Sequence, residues 1–283
     1  MESPAQVRLE VVPSAGLTAR LPLAYQAPGA LSVTCLPHHG PARTTAAAVE
    51  LARLGYHVVP HLAARSISSR TELHTHLEQL QAAGVSELFL VAGDSRSPAG
   101  PYSWSGQLME DVTSFPHSFS VGIAGYPEGH PQITPQQLRT SLDSKAALAS
   151  SLVTQMCFSA DAIVRYFETL RHSGAGLPVW VGVPGPITTK KLLAMGARLG
   201  VGRSLKLARG TGMAKALLRR GEAPDFDSTT LIREVHQKLG HEPMFAGFHI
   251  YTFNDLERLP GFLRGLPALP ATRAASPVCP AKI

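Results

Sequence analysis

Short apolar runs recur along this chain, and most are separated by segments of helical period. The runs fall at 7–12, 31–35, 56–62, 88–94, 120–125, 152–156, 179–183 and 247–252, with Pro, Gly or Asp at many of their ends. Near-continuous apolar character over so few residues marks strands buried on both faces. The intervening segments read as helices. One covers about 44–54 and ends at Gly55. The next carries a capping box, Ser69-x-x-Glu72, and an apolar stripe at Leu73, Leu77 and Leu80 before Gly84. A short helix follows the loop 95–106, and Thr134-Pro135 opens another that runs to about 150. Ile163, Phe167 and Leu170 stripe the helix after the sixth run. A helical region fills most of 188–239, and Asn254-x-x-Glu257 is expected to cap a last helix.

Eight strands mostly alternating with helices within about 265 residues predict an α/β protein. The architecture expected is a single (β/α)₈ TIM barrel with extra helices between strands 7 and 8. An open doubly wound sheet is the competing arrangement. A dinucleotide-binding version of it needs a Gly-rich turn directly after an early strand. The only close spacing, Gly210-x-Gly212, lies inside a helical region. The barrel is expected over 1–265, and 266–283 is expected to be a Pro/Ala-rich tail.

Composition narrows the function classes. Hydrophobic residues make up 44% and charged ones 16%, the balance of a folded globular chain. The net charge of +6 suggests a basic partner surface only if basic and aromatic residues interleave. The densest basic stretch, 203–220, contains no aromatic, so nucleic acid is not an expected partner. No apolar run approaches a membrane span and no signal-peptide core is present, so a cytoplasmic location is expected. Cys35, Cys157 and Cys279 are dispersed and odd in number, which suggests neither a disulfide framework nor a zinc site. His74 and His76 point about 200° apart on a helix and cannot share an ion, so no metal site is expected.

In a barrel, chemistry gathers at the C-terminal ends of the strands. Those ends offer Glu10, Thr34, His61, Asp94, Tyr126 with His130, Gln155, and Tyr251 with Asn254. Glu10 and Asp94 are acids that are costly to bury without a role or a partner. Arg8 is expected to face away from Glu10, on the other side of the strand. Tyr102 and Trp104, on the loop 95–106, are candidates for a lid or a stacking surface beside the mouth.

Several motifs, taken in order, resemble the methylenetetrahydrofolate reductase family. They are Val7-Arg8-Leu9-Glu10-Val11-Val12-Pro13, Ser32-Val33-Thr34, Pro60-His61-Leu62, Gly93-Asp94 and Tyr126-Pro127-Glu128-Gly129-His130-Pro131. Lys145 with Thr154-Gln155, and Phe248-His249-Ile250-Tyr251-Thr252-Phe253-Asn254, complete the series. The resemblance implies NAD(P)H-dependent reduction of 5,10-methylenetetrahydrofolate to 5-methyltetrahydrofolate. By that resemblance Glu10 is the general acid, and Asp94 contacts the pterin and stabilises positive charge. Gln155, Asp94 and Tyr251 are then expected to bind substrate. Thr34, His61, Gly93, Tyr126, His130 and Lys145 are expected to line the cofactor, which in the family is usually FAD.

The sequence departs from the family pattern where the FAD tail is held. Ala92-Gly93-Asp94 stands where flavin-using members commonly have Arg-Gly-Asp. Arg139, Leu142, Ser144 and Lys145 stand where the family usually has an Asp, an Asn and a basic pair, and only Lys145 clearly fits. Two routes therefore stay open, a relay through FAD and direct hydride transfer from the nicotinamide. NADH and NADPH are not distinguished, because the cue for that choice belongs to a Rossmann fold. Another pterin- or flavin-binding barrel enzyme, or a non-catalytic folate-binding protein, are the alternatives to a reductase.

Overall fold

The computed structural model describes residues 7–116, 118–187 and 228–266. Eight parallel strands close into a barrel in sequence order. They are β1 (Val7–Val11), β2 (Ala30–Val33), β3 (His57–Ala63), β4 (Glu87–Val91), β5 (Ser120–Gly125), β6 (Ser151–Thr154), β7 (Val179–Pro184) and β8 (Phe245–Tyr251). Pairing of β8 with β1, Arg8 opposite His249 and Glu10 opposite Tyr251, completes the ring. The helices among the described residues are α1 (Leu17–Ala24), α2 (Gly40–Arg53), α3 (Arg70–Ala82), α4 (Ser105–Ser114), α5 (Pro135–Ala146), α6 (Ala160–Ser173), α7 (Thr229–Leu239) and α8 (Leu259–Gly265). The (β/α)₈ barrel is thus observed, and the open sheet is excluded by the β1–β8 pairing. The region 188–227 and the tail from 267 lie outside the described residues, as does the basic stretch 203–220. No helix of the described residues is long and apolar enough to cross a membrane.

Alternation along each strand divides two environments. Leu9, Val11, Leu31, Ile123, Val181 and Phe248 face outward and join Phe167 and Leu77 in the core between strands and helices. Each such side chain, fully buried, contributes about 1.5–3 kcal/mol. A separate cluster of Val59, Phe89 and Val153, with Ala124 and Trp180 against it, fills the barrel interior. Arg8 also points inward. It lies two residues from Glu10, so the two share a face, contrary to the expectation that they sit on opposite sides. They still do not pair. The Arg8 guanidinium instead meets Glu87 at 2.8 Å and lies 4.3 Å from the Trp180 ring centroid. Ser151 donates to the other Glu87 oxygen at 3.3 Å. This buried pair has its partners inside the barrel, as a desolvated charge requires.

Several helix boundaries differ from the sequence pattern for identifiable reasons. The pattern gives no sign of α1, which contains Pro22 and buries only Leu17 and Leu21. The start of α2 lies at Gly40 rather than near Thr44, with Pro41 in its first turn. In α3, Ser69 accepts from the Glu72 backbone, but the Glu72 carboxylate turns to Ser68, so the expected box is half formed. The expected cap of α8 is not made by Asn254. The N-cap is Arg258, and Asn254 is engaged with Val12.

Candidate functional site

Four neighbouring strands, β8, β1, β2 and β3, bring one polar row into the barrel. His249 Nε2 lies 3.0 Å from Glu10 Oε2. His61 Nε2 lies 3.7 Å from the same oxygen and 2.7 Å from Ser32 Oγ. Burial pushes the Glu10 carboxyl from 4.5 up to about 7, against the opposing pull of His61. Burial also lowers both imidazoles, His61 to about 4 and His249 to about 3. The row is therefore a hydrogen-bonded cluster holding a proton near neutral pH, rather than a set of ion pairs. The Glu10 backbone carbonyl is fixed as well, accepting from Thr252 Oγ1 at 2.6 Å.

Beside this row, Tyr251 donates to the Thr154 carbonyl at 3.1 Å, and its ring meets His249 edge-on at 4.9 Å between centroids. Gly182 makes room for it, since a Cβ there would sit 2.9 Å from the Tyr251 ring and 2.4 Å from the Thr154 oxygen. Gln155 follows β6. Its backbone is held by Gly125 and Cys157, while its side-chain Oε1 is buried without a partner among the described residues. Thr34 Oγ1 is likewise buried and unpartnered. Buried polar atoms of this kind call for a ligand or ordered water.

A second group lies on the β4 and β5 side. Asp94 is exposed, following Gly93, whose φ of 84° suits glycine. Tyr126 and His130 meet edge-on at 5.4 Å between ring centroids. Burial raises the Tyr126 phenol, and the Asp94 charge adds to that rise. Burial lowers His130, and Asp94 opposes it. His130 Nδ1 accepts from the Gln132 backbone at 3.1 Å, which leaves Nε2 carrying the ring proton when neutral.

The third feature is a cleft of about 440 Å³ beneath Tyr126, lined also by Gly129, Arg139, Leu142, Lys145 and Tyr166. It lies between the end of β5 and helices α5 and α6. Lys145, in the last turn of α5, is buried and bonds Ser105 Oγ at 3.3 Å. Burial pulls its ammonium down to about 8. A desolvated cation with one hydroxyl partner suits an anionic group such as a phosphate. Leu142 gives the same wall an apolar patch.

The structure thus gathers Glu10, His61 and Tyr251 in one group and Asp94, Tyr126 and His130 in another. Lys145 lies on the cleft that Tyr126 tops. His61 reaches inward to Glu10 and Ser32 instead of outward to the cleft. Sequence reading did not single out His249 or Ser32. Each sits two residues from a chosen position, Tyr251 and Thr34, and period-2 alternation was the available signal. Glu128, inside the Tyr126–Pro131 motif, serves the scaffold. Its Oε1 accepts from the Phe158 and Ser159 backbones at 2.8 and 3.0 Å and ties the loop to the start of α6. Tyr102 is buried, with its hydroxyl 2.6 Å from Asp111, so it is neither a lid nor a stacking surface. Among the described residues no three His, Cys, Asp or Glu side chains form a metal cluster.

Solved structures with this fold include one from Clostridium thermocellum, described as binding two copies of 5-methyl-5,6,7,8-tetrahydrofolic acid. It superposes with a TM-score of 0.65 at 12% identity, over 93% of this chain and 94% of its own. A β-1,4-mannanase gives 0.52 at 8% identity, over 93% and 99%. At such identities the likeness is one of fold. Sequence relatives say more. Methylenetetrahydrofolate reductase 2 of Saccharomyces cerevisiae is 25% identical over 197 residues, 65% of this chain and 32% of the relative. A probable methylenetetrahydrofolate reductase (NADPH) of Caenorhabditis elegans is 29% identical over 124 residues, 38% of this chain and 17% of the relative. The aligned part thus spans about a third and about a sixth of those two proteins. The family description "Methylenetetrahydrofolate reductase" matches residues 23–262, nearly the whole barrel, and the chain belongs to that family.

Proposed function

We propose that this protein reduces 5,10-methylenetetrahydrofolate to 5-methyltetrahydrofolate with NADH or NADPH. The observation that carries the reading is Glu10, a buried carboxyl held near neutrality inside the barrel. Opening the five-membered ring of the substrate breaks the bond from the methylene carbon to N10. N10 then takes a proton, and an N5 iminium cation remains. Glu10 supplies that proton, and its raised pKa keeps it protonated where an ordinary carboxyl is ionised. Asp94, placed beside Tyr126 and His130, provides the anion that steadies the cation. Gln155 offers a buried carbonyl oxygen in need of a donor, which suits the amino and amide edge of a pterin. Tyr251 packs beside Glu10 and forms a wall of the substrate space. The iminium carbon accepts hydride, and the sum is one hydride and one proton added across the methylene–N10 bond.

A nicotinamide or flavin cofactor, when bound, would supply the hydride. The residues present fit a phosphate-bearing cofactor at the cleft. Lys145 and Arg139 are the cations that would hold the phosphates, and Tyr126 the ring that would pack on it, with His130 edge-on against Tyr126. Leu142 in that wall, where the family usually has a polar group, favours a thinner hold on an FAD tail. The folate ligand of the Clostridium neighbour and the names of the yeast and nematode relatives support the substrate class.

The test is an anaerobic assay with NADH and with NADPH, with and without added FAD. Turnover is expected in wild type, and Glu10→Gln is expected to lose about 10²–10⁴-fold in kcat. A loss below about threefold removes Glu10 from the reaction. Purified protein without flavin absorbance, showing sequential kinetics, identifies direct transfer. Stoichiometric FAD with ping-pong kinetics identifies the relay.

A further inference from the structure

We infer that His249 is a positioning residue for Glu10: its Nε2–H holds one carboxyl oxygen, Oε2, so the transferable proton rides on the other, Oε1. The inference rests on the reading of Glu10 as proton donor and adds which of its oxygens acts.

His249 is fully buried, with Nε2 at 3.0 Å from Glu10 Oε2. Its Nδ1 is buried without a partner among the described residues. A neutral imidazole carries one N–H. With the proton on Nδ1, a buried donor would be orphaned. With it on Nε2, only an acceptor is, and orphaned donors are the rarer case. The proton therefore sits on Nε2 and points at Oε2. The ring stays neutral because burial and the nearby Arg8 charge both lower its pKa, to about 3, with Glu87 opposing.

His61 is committed to Ser32 and leaves that oxygen to His249. Ser32 Oγ lies 3.3 Å from the Val59 carbonyl, where its hydroxyl hydrogen is accepted. Its short 2.7 Å contact with His61 Nε2 is then one in which the imidazole donates. His61 Nε2, 3.7 Å from Oε2, has given its hydrogen to Ser32, so His249 is the imidazole that bonds the carboxyl. An oxygen that accepts the His249 N–H is a poor place for a proton. Oε1 forms no hydrogen bond among the described residues, and the Glu10 side chain keeps 13% exposure. The other groups around the carboxyl are committed elsewhere. Tyr251 donates to the Thr154 carbonyl, and Arg8 pairs with Glu87.

Two measurements on the full chain test this. Long-range ¹H–¹⁵N NMR on histidine-labelled protein, assigned with His249→Gln, should show His249 as the neutral Nε2–H tautomer from about pH 5 to 8. An Nδ1–H tautomer, or an imidazolium at about pH 6, overturns the inference. This readout needs no turnover, so it separates failure of the inference from failure of the proposed reaction. The second measurement is kinetic. Gln keeps an N–H donor at this position and should retain kcat within about threefold. His249→Leu should lose kcat by about tenfold or more, with folate KM less affected. Loss of the donor to the carboxylate should also move the acidic group in its pH profile upward, by about one unit. Equal losses in both variants with an unmoved profile mean packing alone and overturn the inference, as does a Leu variant with unchanged kcat.

Discussion

Asn254 shows how much one side chain can settle at the residue scale. It follows β8 with φ at 57°, a left-handed backbone that Asn tolerates better than most residues. Its Oδ1 accepts from Val12 N at 2.9 Å, and its Nδ2 donates to Val12 O at 2.7 Å and to Ser14 Oγ at 3.0 Å. The amide thus acts as one more rung of the β8–β1 ladder beyond the last strand residues. Joining ends 242 positions apart, it closes the barrel seam next to Glu10. Asn254→Ala is expected to cost about 2 kcal/mol, from several hydrogen bonds each worth about 0.5–1.5. Urea unfolding checks it. Asn254→Gly, which removes any cost of the left-handed backbone while losing the same bonds, should recover only a small part. Full recovery in Gly would mean that the conformation, and not the clip, is what Asn254 supplies. The sequence placed Asn254 among the mouth residues but assigned it to a helix cap. An Asn followed three residues later by Glu is a cap signature, and it carries no information about a strand so distant along the chain.

At the scale of the element, α5 is the informative case. Its start was legible, because Thr134, Pro135 and Gln137 form a complete capping box, with Thr134 accepting from Gln137 N and Gln137 accepting from Thr134 N. Its end was not, since the pattern ran on to about 150 while the helix stops at Ala146. Lys145 therefore lies in the last turn, where the helix dipole favours a cation. That does not offset its burial, which holds its pKa at about 8 against a usual 10.5. A pKa depressed by folding means stability is present above the unfolded value and is lost as pH falls toward the folded one. At neutral pH Lys145 is thus a net cost to the empty protein. Lys145→Met should raise the urea midpoint at about pH 7, by on the order of 1–3 kcal/mol in unfolding free energy. The same substitution should weaken cofactor binding by about tenfold, as expected for a lost charge-assisted phosphate contact. A variant that is both less stable and unchanged in cofactor affinity would show Lys145 to be a packing residue.

At the scale of the whole molecule, the fold was legible because each strand announces itself within a few residues, and eight such signals in alternation leave little choice. The polar row was only half legible. Glu10 and His61 stand out as polar groups at strand ends, but their meeting with His249 and Ser32 depends on register between strands that the sequence separates by up to 239 positions. That row also governs how the barrel responds to pH. His61 and His249 are buried neutral, their pKa values falling from 6.5 to about 4 and about 3. Each gives stability that is complete above pH 6.5 and is lost as pH falls toward those folded values. Glu10 works in the other sense. Its pKa rises from 4.5 to about 7, so its contribution is full below 4.5 and lost as pH climbs to about 7. Two groups outweigh one on the acid side, so the cluster makes stability rise with pH and level off at about neutral pH. Glu10→Gln isolates the opposing arm. A Gln can still accept from His249 but never ionises, so it spares the folded state a buried anion. The difference in melting temperature, variant minus wild type, should grow between about pH 4.5 and 7 and then level off. Its plateau should correspond to on the order of 2–3 kcal/mol. Thermal melts across that range decide it. A difference that does not change with pH would mean that Glu10 ionises as an ordinary carboxyl and cannot hold a proton at neutral pH.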